Sequence, residues 1–237
     1  MYRIHQTYIK ADMKMSVLLN DNPMLLLMLE HLNIDFAVRD KTVGQICGDN
    51  KTDPGVFMLI ANMYNGFYPS QDEIESITDI SMIIDFLKNS HEYYKNDKYP
   101  EIKHFIELLQ SKHKGSNIGL VEQFFNEYFE EVLEHLDYED EIAFPYFCQL
   151  STGTGRGKPG KSKFSVNEYR EHHTDIETKL TDLKNLLLKH ISIENELPLR
   201  RKFLVSLFEL EYDLNIHSMV EEMMLLPVVD KLERKIK

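Results

Sequence analysis

Tryptophan is absent from this 237-residue chain, and cysteine occurs only twice, as Cys47 and Cys148. No Cys-x-x-Cys pair is present, which excludes a thiolate zinc site and a disulfide framework and fits a reducing cytoplasm. No apolar run reaches the length of a membrane span. The N-terminus, Met1-Tyr-Arg-Ile-His-Gln6, lacks the apolar core of a signal peptide. Positive charge is also scarce: 27 Lys and Arg face 39 Asp and Glu, a formal charge of -12. Nucleic acid and anionic membranes need a basic face, so neither is an expected partner. Alternating strand patterns bounded by hairpin turns are missing. The charged fraction, 28%, is that of a globular protein rather than a disordered one. An all-α cytoplasmic protein is expected.

The helical patterns fall into two regions. Residues 1–68 carry short runs, among them Pro23-Met-Leu-Leu-Leu-Met-Leu-Glu-His-Leu32 and one opened by Asp53-Pro54. Such runs are too short to stand alone, so they should pack together as a small helical module. Gly66-Phe-Tyr-Pro69-Ser-Gln-Asp-Glu73 reads as a linker. Residues 76–237 carry four longer patterns, the length of an antiparallel four-helix bundle.

Each of those four patterns has an apolar stripe stepping by three and four, the inward seam of a bundle. The first runs Ile77, Ile80, Ile84, Leu87, His91, Tyr94. The second runs Val121, Phe125, Tyr128, Val132, His135, Glu139, Ile142. The third runs Val166, Tyr169, His173, Ile176, Leu180, Leu183, Leu187. The fourth runs Phe203, Leu207, Leu210, Leu214, His217, Glu221, Met224, Val228. A histidine falls in every seam. His172 is turned about 100° from the third seam by the helical period, so His173 is preferred as the inward residue, with His172 the alternative ligand.

Two of these histidines open matching segments, His135-Leu-Asp-Tyr-Glu139 and His217-Ser-Met-Val-Glu221, each followed at the same offset by Phe144-Pro145 or Leu226-Pro227. The His-x-x-x-Glu spacing puts both side chains on one helix face. Buried histidine and glutamate are costly unless something charged lies between them. A carboxylate can bridge two cations through its two oxygens. Glu139 and Glu221 as bridges, with His91, His135, His173 and His217 as terminal nitrogens, would leave each ion short of six ligands. An oxo or hydroxo bridge and one small exchangeable ligand would fill the vacancies. Imidazole and carboxylate suit iron, manganese or zinc.

Other features read more plainly. A lone inward histidine is usually a hydrogen-bonded core residue; the repetition on four seams is what favours a metal. Glu177 is one step off its seam and suits support of an imidazole N–H. Asp140 and Glu222 should face outward or toward a neighbouring helix. His5, His31, His104, His113 and His190 read as surface residues. Tyr94, Tyr128 and Tyr169 read as core filling. The basic, Gly-rich stretch at 151–162 contains a phosphate-loop string, Gly155-Arg-Gly-Lys-Pro-Gly160-Lys161-Ser162. That string works only between a strand and a helix, so here it is loop composition.

With these residues in place, the chain resembles a hemerythrin-like di-iron protein over about residues 76–235. Among such proteins it is most similar to the iron–sulfur cluster repair family, often called RIC, which has four His and two bridging Glu. The match falls on His91, His135, Glu139, His173, His217 and Glu221. Oxygen-carrying hemerythrins place a fifth His where this chain has Glu177. The first module is similar to the small domain that precedes the RIC bundle, through Leu32-Asn33-Ile34-Asp35-Phe36 and Thr42-Val43-Gly44-Gln45-Ile46. RIC proteins carry a Cys-Cys pair after the Asp-Phe; here those positions are Ala37-Val38, and Cys47 is a single thiol.

The resemblance implies two non-haem iron ions and a small gaseous ligand, nitric oxide or dioxygen. Three roles follow from it: a stress-response protein that donates iron for iron–sulfur cluster repair, a gas sensor or reversible binder signalling to a protein partner through the first module, or a di-iron oxidase or nitric-oxide reductase. No flavin or nicotinamide site accompanies the last. A helical interaction protein without metal is the plain alternative. Histidine ligands must be deprotonated, so metal affinity is expected to fall below about pH 6. A metal titration at pH 7.5 and 5.5, about one unit either side of the ordinary histidine pKa of about 6.5, checks this; equal affinities would exclude histidine ligation.

Overall fold

Proline and capping residues set the boundaries of most helices in the computed structural model, which describes residues 7–113, 118–152, 165–166, 169, 176–189 and 195–236. Among these residues the protein is all-helical, with one isolated bridge between Lys14 and Thr42. His172, His173 and most of the Gly-rich stretch lie outside the described residues. No described helix is long and apolar enough to cross a membrane.

The first helices are short, as expected: α1 (Met15–Asp21), α2 (Leu25–His31), α3 (Val43–Asn50), α4 (Pro54–Tyr64) and α5 (Gln71–Ser76). Thr42 and Gln45 form a reciprocal capping box on α3, and Ser70 and Glu73 form another on α5. Asp53 caps α4 by accepting from the N–H groups of Gly55 and Val56, with Pro54 as the first helical residue. Gly66, with φ at 79°, turns the chain beyond α4. α4 is buried almost throughout and packs against α2 and α3. Its Asn62 ties down the preceding segment, accepting from Ile9 N–H at 2.7 Å and donating to Ile9 C=O at 3.1 Å.

Three longer helical runs follow the same plan, each broken by a π-turn. α6 (Ser81–Tyr93) passes through π1 (Tyr94–Lys98) into α7 (Tyr99–Lys112). α8 (Ile118–Tyr138) passes through π2 (Glu139–Ala143) into α9 (Phe144–Thr152). After α10 (Ile176–Lys189), α11 (Leu197–Val220) passes through π3 (Glu221–Leu225) into α12 (Leu226–Ile236). Each π-turn opens six residues before a proline: Pro100, Pro145 and Pro227. Proline lacks an N–H, and its ring collides with the carbonyl four residues back in an α-helix. The wider i→i+5 register moves that carbonyl aside. Its bonds run from Tyr99 N–H to Tyr94 C=O and from Leu226 N–H to Glu221 C=O.

A π-turn corrects one sequence expectation and a helix boundary another. Ile142 falls on the inward seam of an uninterrupted α-helix, yet it is 45% exposed, and Ala143, Phe144 and Phe147 are buried instead. The extra residue in π2 shifts the helical phase by about one position. Ile77 lies outside α6, as the C-cap of α5; α6 starts at Ser81, whose N–H is accepted by Asp79.

Two compact units divide the chain. The first comprises Met1–Ser90, Phe144–Val166 and Ile216–Lys237; in it α12 packs against α5 and α9. The second comprises His91–Ala143 and Asn167–Asn215; in it α8 packs against α7 and α10. A polar network runs through the second unit. Lys98, 4% exposed, pairs with Glu101 and Glu209, Ser206 donates to Glu101, and Tyr94 donates to the buried Asp213. Burial alone would push the Lys98 ammonium down, but the two carboxylates hold it above its ordinary range.

Candidate metal centre

The two proline-terminated segments bring their His–Glu pairs to the mouths of π-turns. Glu139 is the first residue of π2 and Glu221 the first of π3, with His135 and His217 one turn earlier in α8 and α11. Five described residues, His91, His135, Glu139, His217 and Glu221, all buried except the half-buried His135, belong to His/Glu groups that could hold a metal ion. The sixth expected ligand, His173, lies outside the described residues.

In the second unit the centre of the cluster is the Glu139 carboxylate, fully buried. Its Oε2 lies 3.3 Å from Nε2 of His91, and its Oε1 lies 3.1 Å from Nε2 of His135. Each oxygen therefore faces a different imidazole. The Tyr169 hydroxyl donates to Oε1 at 2.5 Å. The far side of the His91 ring meets Asp140: Nδ1 to Oδ1 is 3.1 Å. A carboxylate beside Nδ1 holds the ring proton there and leaves Nε2 as the lone pair. Burial pushes the Asp140 carboxyl up, but the His91 imidazole and the Lys95 ammonium outweigh it and hold the group below the usual carboxylate range.

The first unit holds the second pair, with Nε2 of His217 3.3 Å from Oε1 of Glu221. Its tautomer follows from Ser90. The Ser90 hydroxyl donates to Leu87 C=O at 2.7 Å and lies 2.8 Å from Nδ1 of His217. A hydroxyl has one proton to give, so here it accepts from Nδ1–H. Nε2 then carries a lone pair directed at an anionic oxygen. Two lone pairs at that distance repel unless a cation or a proton stands between them. The donor set, buried imidazole Nε2 with buried carboxylate oxygen, fits iron, manganese or zinc.

Tyr169 and His31 differ from the sequence expectation, whereas Asp140 and Glu222 agree with it. Tyr169 is buried as expected but binds Glu139 rather than only filling the core. Asp140 faces a neighbouring helix, where it contacts His91. Glu222 is exposed, as expected. His31 is 1% exposed rather than on the surface; its ring meets Phe86 edge-on at 5.3 Å, and its C=O accepts from Asn89. Ser90 carried no signal of its own, although it sits immediately before His91. No protein-family model matches the chain, and no curated protein matches it.

Proposed function

We propose that the chain is a hemerythrin-like protein whose residues 76–237 form a four-helix bundle around two iron ions, preceded by a small helical module at 1–68. His91, His135, His173 and His217 would supply terminal nitrogens, with Glu139 and Glu221 as bridges. The observation that carries this reading is the split of Glu139, one oxygen toward His91 and the other toward His135. A carboxylate that bridges two cations needs that arrangement; one that merely neutralises a single histidine does not.

Such a metal pair supplies open coordination positions for nitric oxide or dioxygen, and one-electron redox chemistry. The chain's own residues do the rest. Asp140 and Ser90 hold protons at Nδ1 of His91 and His217, so that Nε2 of each ring points to the carboxylates. Burial of His91, Glu139 and Glu221 excludes water from the charged groups. We assign the protein to nitrosative or oxidative stress, with iron donation to damaged iron–sulfur clusters as its use. The Cys-Cys pair of the RIC family has no counterpart at these positions: Ala37 and Val38 carry no sulfur, and burial pushes the Cys47 thiol up, keeping it protonated.

A sensor reading has its own support. Consecutive residues of α6 reach both ways: Asn89 donates to His31 C=O in the N-terminal helices, and Ser90 contacts His217. A change at His217 would be felt one residue from a contact to the module.

Elemental analysis and an optical spectrum of purified protein, beside His135→Ala and Glu221→Ala, test the metal reading. About two irons per chain is the expected content for a carboxylate-bridged pair, with near-ultraviolet absorption that both variants lose. No stoichiometric metal, even after anaerobic ferrous reconstitution, would leave a helical interaction protein. Iron transfer to an apo iron–sulfur protein separates donor from sensor.

A further inference from the structure

We infer that Tyr169 is a positioning residue of the metal centre, setting the orientation and the donor strength of Glu139. This rests on the metal reading above and deepens it. The Tyr169 hydroxyl is 2.5 Å from Oε1 of Glu139, within the short range of a hydrogen bond to an ionised acceptor. Both groups are buried, Tyr169 at 1% exposure and Glu139 at 0%, so water does not compete for the bond. The same Oε1 faces His135, whereas Oε2 faces His91.

Two consequences follow for a metal held there. A carboxylate fixed by a tyrosine loses less freedom on binding, so the bond raises affinity. The hydrogen bond also draws electron density from Oε1, making it a weaker donor to the ion on the His135 side. A weaker anionic donor stabilises the oxidised metal less, so Tyr169 raises the reduction potential. A tyrosine that only fills space would do neither.

The test uses the full-length protein loaded anaerobically with ferrous ion. Affinity is read by competition with a chelator and the midpoint potential by redox titration, for wild type, Tyr169→Phe and Tyr94→Phe. Tyr94→Phe also removes a buried tyrosine–carboxylate bond, but one made to Asp213 rather than to Glu139. Tyr169→Phe is expected to weaken binding about tenfold or more and to lower the potential, with Tyr94→Phe changing neither. Unchanged affinity and potential in Tyr169→Phe would overturn the proposal. So would lost affinity without a shift in potential, or equal effects in Tyr94→Phe. A wild type that takes up no iron removes the metal reading and this proposal together, which is a different result from either of those. Should Tyr169→Phe fail to fold, wild type still decides. A carboxylate stretch that appears only on metal loading should shift between H2O and D2O, and no shift would overturn the proposal.

Discussion

Glu139→Gln is expected to stabilise or leave unchanged the metal-free protein and to destabilise the metal-loaded one. The two results have opposite physical origins. Without a cation, Glu139 is a fully buried carboxylate whose oxygens face two imidazole nitrogens. Burying an ionised carboxylate costs several kcal/mol before any pairing offsets it. An amide of nearly the same shape removes that cost and can still accept from Tyr169. With metal the balance reverses, because a ligand that binds only the folded state stabilises it by about 4 kcal/mol at a thousandfold excess over its dissociation constant. The amide is a poor ligand and gives up that gain. Urea unfolding with and without ferrous ion reads both signs. A structural ion pair predicts something else: a loss of about 3–5 kcal/mol in Glu139→Gln whether or not metal is present. That outcome would remove the metal centre.

The inward positions of His91, Glu139, His217 and Glu221 were legible because helical periodicity depends on sequence alone. A seam of apolar residues fixes one face, and any polar residue in phase with it is carried inside. Legibility ended where the phase changed. Ile142 is in phase with His135 and Glu139 only in an uninterrupted α-helix, and π2 intervenes. Phe144-Pro145 was the available signal, since proline inside a helical pattern disturbs the register of the preceding turn. Leu226-Pro227 said the same for π3, and Tyr99-Pro100 for π1. The supporting residues were harder to see. The hydroxyl of Tyr169 and the carboxylate of Asp140 find partners on other helices, and seams say which face is inward but not what lies across it. His31 belongs to a helix of seven residues, too short for a seam to be read, and tertiary packing that includes Phe86 buries it.

Deleting Ile142 is expected to unfold the segment that substituting it leaves intact. Ile142 is 45% exposed, so Ile142→Ser removes little buried surface and should change stability by no more than about 0.5 kcal/mol. Its contribution is to chain length. π2 needs one residue more than an α-helical turn to reach Pro145 without a clash, and that residue sets the rotation of α9. Removing it turns the side chains of α9 by about 100° about that helix's own axis. Phe144 and Phe147, both at 0% exposure, and Leu150, at 9%, would leave the core face. Emptying one buried phenylalanine site costs about 3–5 kcal/mol, and two such losses reach the whole stability of an ordinary domain, about 5–15 kcal/mol. Pro145 makes relaxation to an α-helical register costlier still, because its ring would meet the carbonyl four residues back. Thermal unfolding followed by circular dichroism separates the variants: a cooperative transition near that of wild type for Ile142→Ser, and none for the deletion. A deletion variant that melts like wild type would mean that α9 is held by its own contacts, with the π-turn a passive consequence of the proline. Glu139 opens this same turn, so the deletion should also abolish metal binding, and Ile142→Ser should preserve it.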